Sequence, residues 1–282
     1  MPKIRIKERP IYYFIPALIV LTILAVYPIL NNVSLSLTNK SGAFSLANYQ
    51  RLFKDKWFWN AMLNTGKWAL FTVSMEMVVG MTMAFLMNMR LKGQSLFRSL
   101  LIIPWMTPVI AICAVWKWMY NNDFGILTYA INTAFGTHLT FLSDYNIALY
   151  CLGIIYVWKR APFIMLMYLS GMQSISEDVY EAAELDGCRG FKRLTQITLP
   201  LLFPIIRSLM LISLISSFNQ FTIVHTITGG GPARIQNYIY NNGIAANNFN
   251  FGAAASTAFL VIIVVLALIY ITATEKAEEG IY

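Results

Sequence analysis

Apolar residues run along this chain in long blocks, without the strict alternation of strands or the stripes of water-soluble helices. Residues 11–33 contain no charge at all. A helix needs about 20 apolar residues to cross the hydrocarbon core of a bilayer. Six blocks meet that length: 11–33, 61–88, 99–120, 147–169, 201–222 and 252–272. The second carries Lys67 and Glu76, and the fourth carries Lys159 and Arg160. The pattern predicts an all-α, polytopic membrane protein with six transmembrane helices in a single membrane domain, 1–282. The basic start (Lys3, Arg5, Lys7, Arg9) looks like the head of a signal peptide. The apolar run behind it is too long, and no small-residue cleavage site follows cleanly, so it reads as a retained first span.

Six spans put both ends on one side, and the distribution of bases chooses the side. With the N-terminus inside, the inner segments hold Lys3, Arg5, Lys7, Arg9, Arg90, Lys92, Arg98, Arg189, Lys192, Arg193 and Lys276. The outer segments then hold only Lys40, Arg51, Lys54, Lys56 and Arg234. The bias predicts an N-in, C-in topology. The outer segment 45–60, SLANYQRLFKDKWFWN, spaces Tyr49, Phe53, Trp57 and Phe58 as an amphipathic helix lying at the interface would.

Composition agrees and removes other classes. The chain is 57% hydrophobic and 12% charged, where soluble domains run near a quarter charged. The net charge of +8 does not indicate nucleic acid, because the bases flank apolar blocks and form no basic stripe. Cys113, Cys151 and Cys188 are scattered and odd in number, which indicates neither a disulfide framework nor a metal site. His138 and His225 have no ligand spacing around them. No nucleophile–base constellation is visible, so the chain does not read as an enzyme.

The longest inner segment, 172–200, is the most hydrophilic stretch of the chain. Ser174 and Ser176 are candidate N-caps for EDVYEAAELD, with Glu177 and Asp178 in its first turn. Gly187 can adopt positive φ and end that helix. A second short helix is expected from about Phe191 to Thr198, interrupted by Pro200 before span five. The result is a cytoplasmic helix-turn-helix. Tyr180, Ala183, Leu185 and Phe191 give it a partly apolar face, suited either to a groove on a partner or to the bilayer surface.

Within this segment Glu181, Ala182 and Ala183 are followed after three residues by Gly187, and nine residues later by Ile197, Leu199 and Pro200. That pattern resembles the signature loop of ABC importer permeases. FRSLLIIPW (97–105), GMQSISEDVYEAAELDG (171–187) and TGGGP (228–232) extend the likeness to the carbohydrate-uptake branch, and to the first of its two paired permeases. The resemblance implies that 172–200 is a coupling loop seated in a cytoplasmic ATPase. Glu181 would then meet a base on that ATPase, and Gly187 would set the turn. It also implies three kinds of partner: a second homologous permease, two cytoplasmic ATP-binding subunits and an extracytoplasmic solute-binding protein. ATP and Mg would be held by the ATPase, since this chain has no G-x-x-x-x-G-K-[ST] loop and no cofactor of its own.

Charges inside spans cost roughly 2.5 to 3.5 kcal/mol on insertion scales, so each calls for a partner or a wet cavity. By resemblance, VWKRAPF (157–163) lines the solute path through Arg160 and Phe163, and SLISSFNQF (213–221) lines it through Ser213, Ser216, Ser217 and Gln220. Helical spacing alone brings those four to one face. Hydroxyls, an amide and an aromatic ring suit a sugar. A guanidinium suits carboxylate or phosphate, which points to an anionic solute such as a uronate-containing oligosaccharide. Two readings stay open. Either Arg160 meets the solute, or Glu76 pairs with Arg160 or Lys159 within the membrane. A neutral oligosaccharide or glycerol phosphate is the alternative cargo, and a secondary transporter the alternative class. The latter would show internal repeats, and none is apparent.

Overall fold

A computed structural model describes residues 11–89 and 92–279. Lys3, Arg5, Lys7, Arg9 and Arg90, five of the bases used to orient the chain, lie outside the described residues. The described residues are mostly helical, with loops between the helices and one isolated bridge between Thr38 and Phe44. In chain order the helices are α1 (Ile11–Leu21), α2 (Tyr27–Ser36), α3 (Ala47–Lys54), α4 (Lys56–Asn88), α5 (Gln94–Met106), α6 (Val109–Met119), α7 (Ile126–Phe135), α8 (Tyr145–Ser174), α9 (Glu177–Leu185), α10 (Phe191–Arg193), α11 (Leu199–Phe218), α12 (Thr222–Thr228), α13 (Ile235–Ile239) and α14 (Phe249–Glu279). Short π-helical turns occupy Thr22–Val26, Leu194–Thr198 and Tyr240–Ala245. Among the described residues five helical runs are long and apolar enough to cross a membrane, or six when the bent α5–α6 pair is taken as one broken span.

The described residues pack as two units. The first takes 11–58 together with Ile239–Val261. In it, the Asn32 amide donates to Ser256 Oγ (3.1 Å) and Thr257 Oγ1 (3.0 Å), which ties α2 to α14. Gly243 and Gly252 lie so close that a Cβ on Gly243 would sit 2.8 Å from the Gly252 Cα. Small residues at helix crossings let backbones approach in this way within membranes. The interfacial helix expected over 45–60 is split. Asp55 takes an extended ψ of 114°, and its carboxylate accepts the Trp57 amide proton (2.8 Å), so α4 restarts there. Trp57 and Phe58 therefore belong to the start of span two.

The second unit takes the described residues of 59–238 together with 262–279, and α8 contributes to both of its apolar clusters. One apolar cluster joins Trp68 of α4, Ile112 and Cys113 of α6, Leu152, Ile155 and Tyr156 of α8, and Ile223, Val224 and Ile227 of α12. A second joins Ala84 and Met87 of α4, Ile164, Met165 and Tyr168 of α8, and Leu202 and Leu209 of α11. Helices α4 and α8 meet through glycines in both directions. A Cβ on Gly80 would fall 2.6 Å from Ile164 Cγ2, and one on Gly153 would fall 2.8 Å from Phe71.

Two expectations are corrected here. Span three is not one helix over 99–120. It breaks at Thr107–Pro108, and α5 and α6 are bent by 94°. Pro108 cannot continue a helix, and it pushes Thr107 to an extended ψ of 135°. Pro200, in turn, does not interrupt the chain. The π turn Leu194–Thr198 moves hydrogen bonding to the next residue, with the Leu199 amide reaching Leu194 O just before the proline that has no donor. Phe191 to Phe218 is thus one continuous helical run, and no separate second helix precedes span five.

Replacing Gly80 with Val drives a side chain into Ile164 and the Ala161 carbonyl. The expected loss of stability is about 1–3 kcal/mol. Gly66→Ala, at a helical position with nothing within 4 Å of a new Cβ, should be neutral or slightly stabilising. Thermal unfolding of both variants in detergent measures the contrast.

Candidate functional site

Where the two breaks in the spans face α8, a cavity of about 270 Å³ opens. Val109 of α6, Tyr156, Lys159 and Arg160 of α8, Ser216 of α11, Gln220 of the break after it, and Thr222 and Ile223 of α12 line it. Apolar blocks built this site with few polar atoms, so each polar atom in it matters.

Arg160 is mostly buried (19% exposed), and its Nε lies 3.5 Å from an oxygen of the fully buried Glu76. The pair links α4 to α8 inside the apolar layer. Of the two intramembrane pairings considered for Glu76, the structure forms the one with Arg160. Only one edge of the guanidinium is used, and at a distance longer than a good hydrogen bond. Tyr156 and Phe163, one turn to either side on α8, stand 6.0 and 5.3 Å from the guanidinium carbon. Trp105 of α5 covers the Phe163 ring at 5.6 Å.

Lys159 lines the same cavity beside Arg160. Its ammonium donates to Trp105 O (3.1 Å) and Thr107 O (2.8 Å), carbonyls released by the break between α5 and α6. A cation thus supplies donors to carbonyls that the broken helix no longer satisfies.

The four polar residues of α11 and its end do not share one environment. Ser216 and Gln220 line the cavity. Ser213 and Ser217 are fully buried against α4. The Ser217 hydroxyl lies 2.8 Å from Thr72 Oγ1, and Ser213 sits beside the Glu76 carboxyl. The structure therefore brings Arg160, Ser216 and Gln220 together. It sets Phe163 beside Arg160, and it places Ser213 and Ser217 in the packing behind them.

Sequence reasoning missed Tyr156 and Arg234. Tyr156 stands one turn before Arg160 on α8, so i, i+4 spacing could have found it. Arg234 was counted as an outer-loop base, yet it is fully buried. Its guanidinium donates to Gln220 O (2.5 Å) and Ser217 O (2.7 Å) and lies 4.2 Å from the Trp68 ring centre. The glycine run just before it signals a turn, with Gly229 and Gly230 at φ of 69° and 109°, and gives no sign that the arginine behind it is buried.

At the opposite end of α4 and α8 lies the polar segment. Ser176 is the N-cap position of α9, in extended conformation and with no side-chain cap bond. Helix α9 closes on Gly187, whose φ of +74° favours glycine. The Cys188 amide reaches back to Ala183 O (2.8 Å), and the Gly187 amide to Glu184 O (3.1 Å). Arg193 stacks on Tyr180 at 5.4 Å. Glu177, Glu181, Glu184 and Arg193 border a cleft of about 510 Å³ with the ends of α4 and α8. Of the expected apolar face, Ala183 is buried and Tyr180 half-buried, while Leu185 (90%) and Phe191 (78%) stand in the open. Ala182 is exposed, and Ile197, Leu199 and Pro200 are half-buried where the segment becomes α11.

Broken spans around a polar cavity, with an exposed helical turn at one end, define a polytopic membrane transport subunit. The chain belongs to the family described as binding-protein-dependent transport system inner membrane component, which matches residues 76–276. It is therefore a multi-pass protein of the cytoplasmic membrane. The trehalose/maltose transport system permease protein MalF of Thermococcus litoralis is 29% identical over 95% of this chain and 95% of its own. The sulfoquinovosyl glycerol transport system permease protein SmoG of Agrobacterium fabrum is 30% identical over 91% of this chain and 87% of its own. Among solved structures, a bacterial ABC transporter involved in the import of the acidic polysaccharide alginate matches with a TM-score of 0.81 at 20% identity, covering 94% of both chains.

Glu76→Gln strands the Arg160 charge between α4 and α8. Removing one member of a buried pair should cost about 3–5 kcal/mol, and the double change Glu76→Gln with Arg160→Gln should recover most of it. Thermal melting of the two variants beside the unaltered chain gives the answer.

Proposed function

We propose that this chain is one of two permease subunits of an ATP-driven importer for an oligosaccharide or related glycoside. A solute-binding protein delivers the cargo from outside, and two cytoplasmic ATP-binding subunits, which hold ATP and Mg, drive the cycle. The chain lies N-in and C-in, with the α9 end in the cytoplasm. The observation that carries the reading is the polar cavity between the two broken spans. Gln220, Ser216, Tyr156 and the free edge of Arg160 offer donors and acceptors of the kind sugar hydroxyls use, and an aromatic ring stands beside them. The names of the relatives, which cite trehalose, maltose and sulfoquinovosyl glycerol, support the same class of cargo.

Energy enters at 172–200. Glu181 meets a base of the ATPase. Ala182, Ala183 and the Gly187 turn shape the docked surface, and Leu185 and Phe191 fill its groove. Ile197, Leu199 and Pro200 pass the movement into α11.

A finer reading is that the glycoside is acidic. Glu76 balances Arg160, so the ammonium of Lys159 leaves the cavity with one net positive charge. A carboxylate or sulfonate would find Lys159 and the unused edge of Arg160 together. Ser213 and Ser217 hold the wall, and Phe163 steadies the guanidinium.

The reconstituted transporter tests both levels. Glu181→Ala should leave the chain in the membrane and uncouple ATP hydrolysis from uptake, and import by the isolated chain without an ATPase would sink the reading. For cargo, Arg160→Gln combined with Glu76→Gln should weaken uptake of a uronate oligosaccharide about 10- to 100-fold, the range expected for losing a hydrogen bond to a charged group. Unchanged affinity for that oligosaccharide removes the acidic reading and leaves the neutral one.

A further inference from the structure

Arg234 is a fully buried cation that no carboxylate pairs with among the described residues. What meets it instead is the end of α11. The last carbonyls of a helix have no partner within it and carry partial negative charge. Arg234 bridges one of them, Ser217 O, and the carbonyl of Gln220 in the break beyond, with separate guanidinium nitrogens. Trp68 covers the flat face of the group. Only a planar, forked donor can do all three at once, and an ammonium cannot.

The segment that carries Arg234 is itself fixed to α4. The Asn64 amide donates to Ala233 O (3.1 Å), and the Ile235 amide donates to Thr65 Oγ1 (2.9 Å). The first clamped carbonyl lies just before the break Asn219–Phe221 and the second lies within it. Gln220 projects from that break into the cavity, and its buried side-chain nitrogen has no hydrogen-bond partner. A buried amide donor without a partner is costly unless something else fills the place. The backbone beneath it is nevertheless held, at Ser217 O before the break and at Gln220 O within it.

We propose that Arg234 is a positioning residue for solute recognition: by clamping Ser217 O and Gln220 O it fixes the Asn219–Phe221 turn and aims the Gln220 amide at the cargo. The inference rests on the reading of the cavity as the solute path. It adds that affinity is set partly from outside the cavity, by a residue that touches no solute.

The experiment uses the complete reconstituted transporter with labelled maltose as probe, and hydrogen exchange on the intact complex without solute. Arg234→Lys should speed exchange of the amides at 218–222. It should raise the uptake KM about tenfold with maximal rate within about twofold, as loss of one well-placed polar contact does. Gln220→Ala should raise KM by a similar factor, and the double variant should be no worse than Gln220→Ala alone. Asn64→Ala, which loosens the same segment without touching the cation, should repeat the pattern in milder form and serves if Arg234→Lys does not assemble. Unchanged exchange at 218–222, or KM effects of Arg234→Lys and Gln220→Ala that multiply, would overturn the role of Arg234. Gln220→Ala with an unaltered KM strikes instead at the cavity reading beneath it.

Discussion

A span that breaks inside a bilayer exposes carbonyls where no water can meet them, and the solution here is to bring a cation to each break. Lys159 answers Trp105 O and Thr107 O between α5 and α6, and Arg234 answers Ser217 O and Gln220 O after α11. The breaks give the cavity its width and its polar atoms, because regular helices would have turned those groups inward upon themselves. The Glu76–Arg160 pair follows from the same constraint. A buried carboxylate on α4 is tolerable only because α8 brings a guanidinium to it.

The second unit therefore separates two kinds of polarity along α8. Near its middle, charged groups are few, buried and individually matched. Past its end, α9 and the turn behind it hold acids, bases and exposed apolar side chains in water's reach. The glycine contacts between α4 and α8 keep the axis on which both depend close-packed.

The six spans were legible because a bilayer demands long apolar runs, and nothing else in the chain mimics them. The helix ending at Gly187 was legible too, since acids at its start and a glycine at its end carry local meaning. What escaped was anything decided between helices. Pro108 was visible, yet only the fold shows it turning the chain by 94°. Pro200 looked like a stop and was absorbed by a π turn, whose shifted hydrogen bonds leave no mark in residue type. Ser213 and Ser216 looked equivalent on a helical wheel, but packing against Thr72 and Glu76 turned one side of that face away from the cavity. Arg234 read as a surface base because sequence cannot show that its neighbours are a tryptophan ring and two stray carbonyls.

The uninterrupted run from Phe191 to Phe218 spans roughly 40 Å at about 1.5 Å per residue. Such a rod behaves as a lever arm. A tilt of about 5° at its polar foot would displace the far tip by about 3.5 Å, a little more than the length of a hydrogen bond. Had Pro200 broken the rod, as its type invites, the same tilt would have dissipated in a hinge. The π turn thus keeps foot and tip on one helix.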